Sequence, residues 1–188
     1  MIKLHHFTNA NDIDHKRVAA ALQLLKKVIN SKEFHDRVLD MTYELEGKTY
    51  SGYTQTNLSP SLILESILEA QEDIYAPDSR GVIDLNLDMY YSWKNVLGYT
   101  TPDDPFIHMN RKLHSSFSPA ETAGNIFHEW LHKIGHGHTF KPTKDRPYSV
   151  PYAVGYLVRE MAAKYASKQD PLLVQMSSQQ SQSDCSHH

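Results

Sequence analysis

The stretch "SPAETAGNIFHEWLHKIGHGH", residues 118–138, constrains the fold more than any other part of the chain. Ser118 is placed as an N-cap, a proline follows at the first helical position, and Glu121 completes a capping box. Gly135 is placed to end the helix by adopting a left-handed backbone conformation. The sequence therefore predicts a helix over 119–134 that ends in a reversal of the chain.

Histidines and a glutamate occupy the end of this predicted helix. His128 and His132 are four residues apart, so their imidazoles lie on one helical face and can converge on one point. Glu129 lies beside them, where a carboxylate can accept a proton from a metal-activated water. His138 follows Gly135 by three residues and can turn back toward the same point. Because the helix is otherwise largely apolar, its histidines need partners, and a metal site is favoured over a solvated helix end.

The stretch from His128 to His138 resembles the extended zinc-binding signature of the metzincin metallopeptidases, H-E-x-x-H-x-x-G-x-x-H. The resemblance implies a zincin-like fold, with Zn²⁺ held by His128, His132 and His138 and with Glu129 as the general base. It also implies a cleft whose upper wall is an antiparallel edge strand, and the segment 106–112 resembles that strand in position and pattern. We therefore expect a protein or peptide substrate to bind along 106–112.

After the third histidine the sequence departs from the metzincin pattern. Metzincins place a methionine in a tight turn beneath the metal, whereas Pro151 stands roughly at that position here, and Met161 falls inside the predicted last helix. Some families place a tyrosine in this turn that ligates zinc or stabilises the oxyanion. The resemblance gives that role to Tyr152, with Tyr148 and Tyr156 as competitors and a packed aromatic side chain as the other interpretation.

Two rival ligand sets stay open at this stage. His136 can replace His138, although it lies one residue past the glycine and has less chain with which to turn back. Glu160, on the predicted last helix, can serve as a third ligand in the style of thermolysin-like peptidases, which would leave His138 facing the substrate. We expect the remaining histidines to be exposed: His5, His6, His15 and His35 at the surface, and His108 and His114 near an edge strand.

The rest of the pattern predicts the α+β class: a small mixed sheet packed on the active-site helix, with further N- and C-terminal helices. The predicted helices are 12–30, a segment that begins at Ser59 and ends before Pro77, 119–134, and one within 149–169. The predicted strands are 81–91 and 106–112, with a hairpin or a strand and loop over 38–54. We expect residues 1–176 to form one domain and residues 177–188 a flexible polar tail.

Composition excludes several partners. The formal net charge of −3 and the absence of any Lys/Arg-rich run argue against nucleic-acid binding. The sequence has no stretch of the roughly 18 apolar residues that a membrane span needs, and its start lacks the apolar region of a signal peptide. We therefore expect a soluble protein, either cytoplasmic or secreted after removal of a signal. The single cysteine, Cys185, permits no intramolecular disulfide, so a metal must be held by His, Asp, Glu or Tyr.

These features predict a zinc-dependent endopeptidase that hydrolyses peptide bonds with a metal-activated water. One alternative is a catalytically inactive zincin-like module that binds peptides, but Glu129 argues against it because a purely structural site needs no base. Another alternative is a zinc hydrolase of a non-peptide amide. A wide cleft would favour a peptide substrate, and a closed pocket would favour a small molecule. The sequence does not indicate the oligomeric state.

Overall fold

The computed structural model describes residues 1–43, 59–70, 81–139 and 141–169. The strands are β1 (Ile2–Thr8), β2 (Ile83–Tyr90), β3 (Gly98–Tyr99) and β4 (Ile107–Asn110). The helices are α1 (Asp12–Ile29), α2 (Lys32–Asp40), α3 (Pro60–Glu69), α4 (Arg111–His114), α5 (Pro119–Lys133) and α6 (Val150–Gln169), with a 3₁₀ turn at Arg146–Tyr148. Within these residues the chain is a mixed α/β structure with a small four-stranded sheet, as the predicted α+β class requires.

The sheet has the strand order β1-β2-β4-β3. Strands β1, β2 and β4 are mutually parallel, and β3 runs antiparallel to β4. Strand β2 confirms the prediction over 81–91, because Ile83, Leu85, Leu87 and Met89 are buried while the residues between them are partly exposed. Strand β1 was not predicted, and it pairs with a strand about 80 residues further along the chain.

Within the predicted segment 106–112, residues 107–110 form an inner strand, not an edge, and residues 111 and 112 belong to α4. Residues Ile107–Asn110 are β4, which pairs with β2 on one side and with β3 on the other, so both of its edges are occupied. The prediction that 106–112 is the edge strand of a substrate cleft is therefore wrong. The outer position belongs to β3, where Gly98 pairs with Met109. The two-residue length of β3 explains why alternation in the sequence did not reveal it.

The strand predicted from Val38 is also wrong. Residues up to Asp40 belong to α2, which begins where the Ser31 side chain accepts a hydrogen bond from the Phe34 amide. Phe34 and Val38, four residues apart, are fully buried on one face of this helix. The alternation read at Val38 and Met41 was the end of a helical pattern, and the remainder of the predicted segment, from residue 44, lies outside the described residues.

Helix α5 confirms the strongest sequence prediction. Ser118 and Glu121 form the reciprocal capping box at its start, and Gly135 follows its end with a φ of 91°. The helix packs against α6, α1 and the sheet, and its large side chains are fully buried. These are Ile126, Phe127, Trp130 and Leu131. The predictions of α1, α3 and α6 are confirmed as well, including the cap formed by Ser59.

Two glycines let α5 and α6 pack closely where they cross. A Cβ atom added at Gly124 would lie 2.7 Å from the Arg159 Cβ and 2.9 Å from the Gly155 carbonyl oxygen. A Cβ atom at Gly155 would lie 3.0 Å from the Cβ of His128. Because no side chain separates the helices, the first turns of α6 lie directly against the histidine-bearing face of α5.

None of the described helices combines the length and the apolar composition that crossing a membrane requires. The predicted domain boundary at residue 176, the tail 177–188 and Cys185 lie outside the described residues.

Candidate metal centre

Three histidines converge at the end of α5. His128 and His132 come from the helix and His138 from the loop that follows it, and their candidate ligand atoms lie within 4.8 Å of one another. The Nε2 atom of His138 is 3.2 Å from the Nε2 of His128 and 3.2 Å from the Nε2 of His132. Two nitrogens on one tetrahedral zinc, each at about 2.0–2.1 Å, are about 3.3–3.4 Å apart. The cluster is therefore compatible with one metal ion bound by three imidazoles.

Backbone carbonyls orient all three rings. The Nδ1 of His132 is 2.7 Å from the carbonyl oxygen of His136, and the Nδ1 of His138 is 3.0 Å from that of Thr139. The His128 ring hydrogen-bonds the backbone of Pro151, which offers only a carbonyl because proline has no N–H. An Nδ1–H that donates to a carbonyl fixes the tautomer in which Nε2 carries the free lone pair. The fold thus prepares His132 and His138 to bind a metal through Nε2.

Burial keeps the imidazoles of His128 and His132 neutral, which is the form that binds metal. Desolvation, followed by the proximity of His138, lowers the pKa of His132 to about 3. Desolvation also lowers the pKa of His128 well below its ordinary value, with the neighbouring His132 and His138 acting in the same direction. A metal ion bound by these two histidines would therefore displace few protons from them near neutral pH.

Glu129 lies buried beside the histidines, in the wall between α5 and β3. A Cβ atom at Gly98 would lie 3.0 Å from its Oε1, so only a glycine at this position of β3 leaves room for the carboxylate. Desolvation raises the pKa of Glu129 to about 8, and a hydrogen bond with Asn125 opposes that rise. A carboxyl group whose pKa lies near neutrality is suited to accept a proton and then return it.

The two residues that orient Glu129, Asn125 and His114, were not predicted from the sequence. Asn125 is one turn earlier on the same helix, and its Oδ1 is 2.9 Å from the Nε2 of His114. His114 is buried, so the expectation of an exposed side chain there is wrong, and burial lowers its pKa to about 4. The i, i+4 spacing of Asn125 and Glu129 was the available signal, because such residues are neighbours on a helix surface.

Of the three candidate tyrosines, the structure places Tyr152 against the histidines. Its ring centroid is 4.6 Å from that of His128 and 4.7 Å from that of His138. Arg146 donates a hydrogen bond to the Tyr152 hydroxyl, and its guanidinium carbon lies 4.7 Å from the ring centroid. The ring centroids of Tyr156 and Tyr152 are 5.7 Å apart, and Tyr156 is half-exposed.

The stretch where metzincins place their methionine turn forms the 3₁₀ turn and the start of α6 here. Tyr148 is exposed in the 3₁₀ turn and does not line the pocket. Pro151 is buried in the first turn of α6, where its backbone meets His128. Met161 lies further along the same helix, as predicted, and is buried there. The floor of the cluster is therefore the start of a helix instead of a methionine-containing turn.

Neither rival ligand joins the cluster. The ring of His136 is buried and its Nε2 lies 3.0 Å from the hydroxyl of Ser66 on α3, while its carbonyl orients His132. Glu160 is largely exposed on α6 and forms a bidentate ion pair with Arg37, with distances of 2.6 and 3.0 Å. The structure thus brings together the three histidines of the signature and leaves these two residues elsewhere.

His108 also departs from the expected exposed side chain. It lies partly buried on the polar face of the sheet, with its Nδ1 3.0 Å from Asp88 and its Nε2 3.2 Å from Asp104. Its ring stacks on Tyr99 with centroids 4.6 Å apart. Both ring nitrogens therefore have partners within the protein.

A pocket of about 540 Å³ opens in front of the cluster. Segment 95–100, which includes β3, forms one wall, and residues of α5 and α6 form the others. His128, Glu129, His132 and His138 all line it.

Comparison of the chain with protein-family models, with curated proteins and with solved structures gives no match. The resemblance to metzincins therefore rests on the signature residues and on this geometry.

Proposed function

We propose that this protein is a zinc-dependent endopeptidase with a zincin-like fold. The observation that carries the proposal is the convergence of three carbonyl-oriented imidazoles with a buried glutamate beside them in one pocket. Three nitrogen ligands suit zinc and leave a coordination position open, which distinguishes catalytic from structural zinc sites. The donor set has no thiolate, and imidazole ligands also suit other transition metals, so the choice of zinc rests on the resemblance.

Zinc, when bound by His128, His132 and His138, supplies Lewis acidity that polarises a substrate carbonyl and makes water nucleophilic. Glu129 then accepts the proton of the attacking water and delivers it to the leaving amine. The raised pKa of Glu129 supports this double role, because neither transfer is strongly uphill near neutral pH. The walls of the pocket keep the carboxylate away from bulk water, which strengthens its interactions with the reacting atoms.

Tyr152 is the proposed oxyanion stabiliser. Its ring lies against two of the proposed ligands, and its hydroxyl accepts a hydrogen bond from Arg146. A phenol that accepts a hydrogen bond at its oxygen can also donate its own proton, and here the acceptor would be charge that develops on the substrate. The cationic guanidinium of Arg146 also favours that charge electrostatically.

An extended peptide is proposed to bind along β3. Among the described residues β3 has a strand partner on one side only, and Gly98 of this strand lies against Glu129. An exposed strand edge pairs readily with extended chains, and apolar side chains beside it supply contact area. Val96, Leu97 and Tyr99 are exposed by 44%, 40% and 48% and fit that purpose.

The pocket volume favours a second candidate function, hydrolysis of a non-peptide amide. A cavity of about 540 Å³ falls within the range of about 300–1,000 Å³ that is typical of small-molecule sites. The same residues would perform the same proton transfers on such a substrate. The two functions differ in whether an unstructured protein is cleaved.

Metal content and cleavage, measured on the same samples, test the proposal. Purified protein is analysed by mass spectrometry for zinc and incubated with casein and with a panel of small N-acyl amides. The proposal expects about one zinc per chain and cleavage of casein in wild type, loss of both in His138→Ala, and retention of both in Glu160→Ala. Cleavage of small amides alone would support the second candidate. Absence of zinc from the wild-type protein would refute both.

A further inference from the structure

We propose that Asn125, oriented by His114, positions the Glu129 carboxylate for proton transfer. The inference deepens the proposed function and rests on it. His114 lies on α4, which follows β4 directly, and the two other residues lie one turn apart on α5. The three side chains form a hydrogen-bonded row that runs from the buried end of α4 to the pocket wall.

The direction of each hydrogen bond in this row is fixed by chemistry. The Oδ1 of Asn125 can only accept, so the Nε2 of His114, 2.9 Å away, must carry the proton and donate it. An amide presents its acceptor and its donors on opposite sides. With Oδ1 held by His114, the Nδ2–H group is left to donate to Glu129, and the Asn125 hydrogen bond does favour the ionised carboxylate, as a donor must.

The surroundings of Glu129 show why this contact matters. The carboxylate is buried, and on its β3 side it meets Gly98, where even a Cβ atom would lie only 3.0 Å from Oε1. A buried carboxylate needs a hydrogen-bond donor, and Asn125 is the donor given by the described contacts. When Asn125 holds one oxygen of the Glu129 carboxylate, the other oxygen can face the reacting water. Loss of this contact should therefore change the orientation of the carboxylate more than it changes the histidine cluster.

The role assigned to Asn125 differs from that of a buried polar residue that only stabilises the fold. A purely structural residue would lower the melting temperature and leave the turnover of the folded enzyme unchanged. A positioning residue lowers kcat while the zinc content and KM stay at wild-type values, because substrate binding and the metal ligands are untouched. Because His114 acts only through Asn125, substituting His114 should cause no further loss of kcat in a variant that already lacks Asn125.

The test uses Asn125→Ala, Asn125→Asp, His114→Leu and His114→Gln, with Asn86→Ala as the matched control. Asn86 also donates a hydrogen bond from its side-chain amide, in this case to the carbonyl of Pro105, but it lies on the polar face of the sheet and does not line the pocket. Each variant is assayed for zinc, kcat and KM, and the imidazole N–H proton of His114 is followed by NMR in the metal-free protein.

The proposal expects kcat to fall about 10- to 100-fold in Asn125→Ala, and further in Asn125→Asp, with zinc and KM unchanged. His114→Gln, whose amide can still donate, should retain more activity than His114→Leu, and the His114→Leu effect should vanish in the Asn125→Ala background. The exchange-protected N–H signal of His114 should disappear in Asn125→Ala and persist in Asn86→Ala.

An unchanged kcat in Asn125→Ala, in a wild-type enzyme that cleaves peptide, would overturn this inference and leave the proposed function standing. Equal losses in His114→Gln and His114→Leu, or a His114→Leu effect that persists without Asn125, would also overturn it. If wild-type protein binds zinc and hydrolyses nothing, the proposed function fails and the inference falls with it. Loss of zinc in Asn125→Ala would show a structural role in the metal site instead.

Discussion

The two kinds of functional side chain on α5 are held in different ways. Each histidine of the cluster is oriented by a backbone carbonyl, those of His136, Thr139 and Pro151. Glu129, on the same helix, is oriented by the side chain of Asn125. It also packs against Gly98, where only the absence of a side chain leaves room for the carboxylate. The geometry of the proposed ligands therefore follows from the path of the backbone, while the geometry of the proposed base depends on individual side chains.

This difference implies that metal binding and turnover can be separated by mutation. A substitution near the histidines leaves the carbonyls in place unless it moves the backbone. A substitution near Glu129 changes its orientation directly and should leave the proposed metal ligands in place.

The largest effect on turnover is expected for the substitution Glu129→Gln. The amide keeps the volume of the carboxylate but cannot accept the proton, so turnover should fall by about 10²–10⁴-fold. Zinc content should stay at the wild-type level, because the carboxylate is not among the three clustered ligands. Single-turnover hydrolysis and metal analysis of the same samples check this. A variant that loses its zinc would show that base and ligands are not separate.

The second-largest effect is expected on the stability of the metal-free protein in acid. Burial lowers the pKa of His114 from 6.5 to about 4, so its contribution to stability is present above pH 6.5 and is lost as the pH falls toward 4. At about 1.4 kcal/mol per pKa unit, the free energy of unfolding should fall across this window by roughly 3 kcal/mol more in wild type than in His114→Gln. Urea titrations at a series of pH values measure the difference. Parallel curves for the two proteins would contradict it.

Two glycine substitutions test the separation as a matched pair. The Cβ atom of Gly98→Ala would lie 2.9 Å from the His108 carbonyl oxygen and 3.0 Å from Glu129, so the base must shift. Turnover at saturating zinc should fall by up to about 10²-fold with zinc affinity unchanged.

Gly155→Ala should behave in the opposite way. Its Cβ atom would lie 3.0 Å from the Cβ of His128, a proposed ligand, so zinc affinity should fall by about 10- to 100-fold. At saturating zinc its turnover should return close to that of wild type. Competition with a chelator gives the affinity of both variants, and identical profiles for Gly98→Ala and Gly155→Ala would remove the distinction between the two regions.

The smallest effect is expected for Glu160→Gln. This carboxylate lies largely exposed in an ion pair with Arg37, and exposed pairs contribute about 0–1 kcal/mol. The free energy of unfolding should change by less than about 0.5 kcal/mol, with zinc and turnover unchanged. Loss of zinc in this variant would restore Glu160 as a ligand and exclude the arrangement of three histidines.

The sequence predicted the parts of the site that depend on local spacing. His128 and His132 share a face because they are four residues apart, and the left-handed Gly135 turns the chain so that His138 returns to them. The boundaries of α5 followed from its capping box. All of this information lies within about twenty consecutive residues.

The missed parts depend on contacts between distant segments. Gly98 matters only because β3 pairs with β4 and faces α5, and His114 matters only because α4 buries it against Asn125. Strand β1 has mostly exposed side chains and pairs far along the chain, so it carries no alternating apolar signal. A strand was correctly predicted within 106–112, at residues 107–110, but strand order in a sheet is a property of tertiary structure.

The coordination of zinc is measured by X-ray absorption at the zinc edge, on zinc-loaded wild type, Glu129→Gln and Asn125→Ala. We predict three imidazole nitrogens and one further light atom at about 2.0–2.1 Å from zinc in all three proteins. A carboxylate or a fourth imidazole in the wild-type shell would contradict the assigned ligands. A shell that changes in either variant would contradict the claim that the backbone holds the ligands while side chains hold the base.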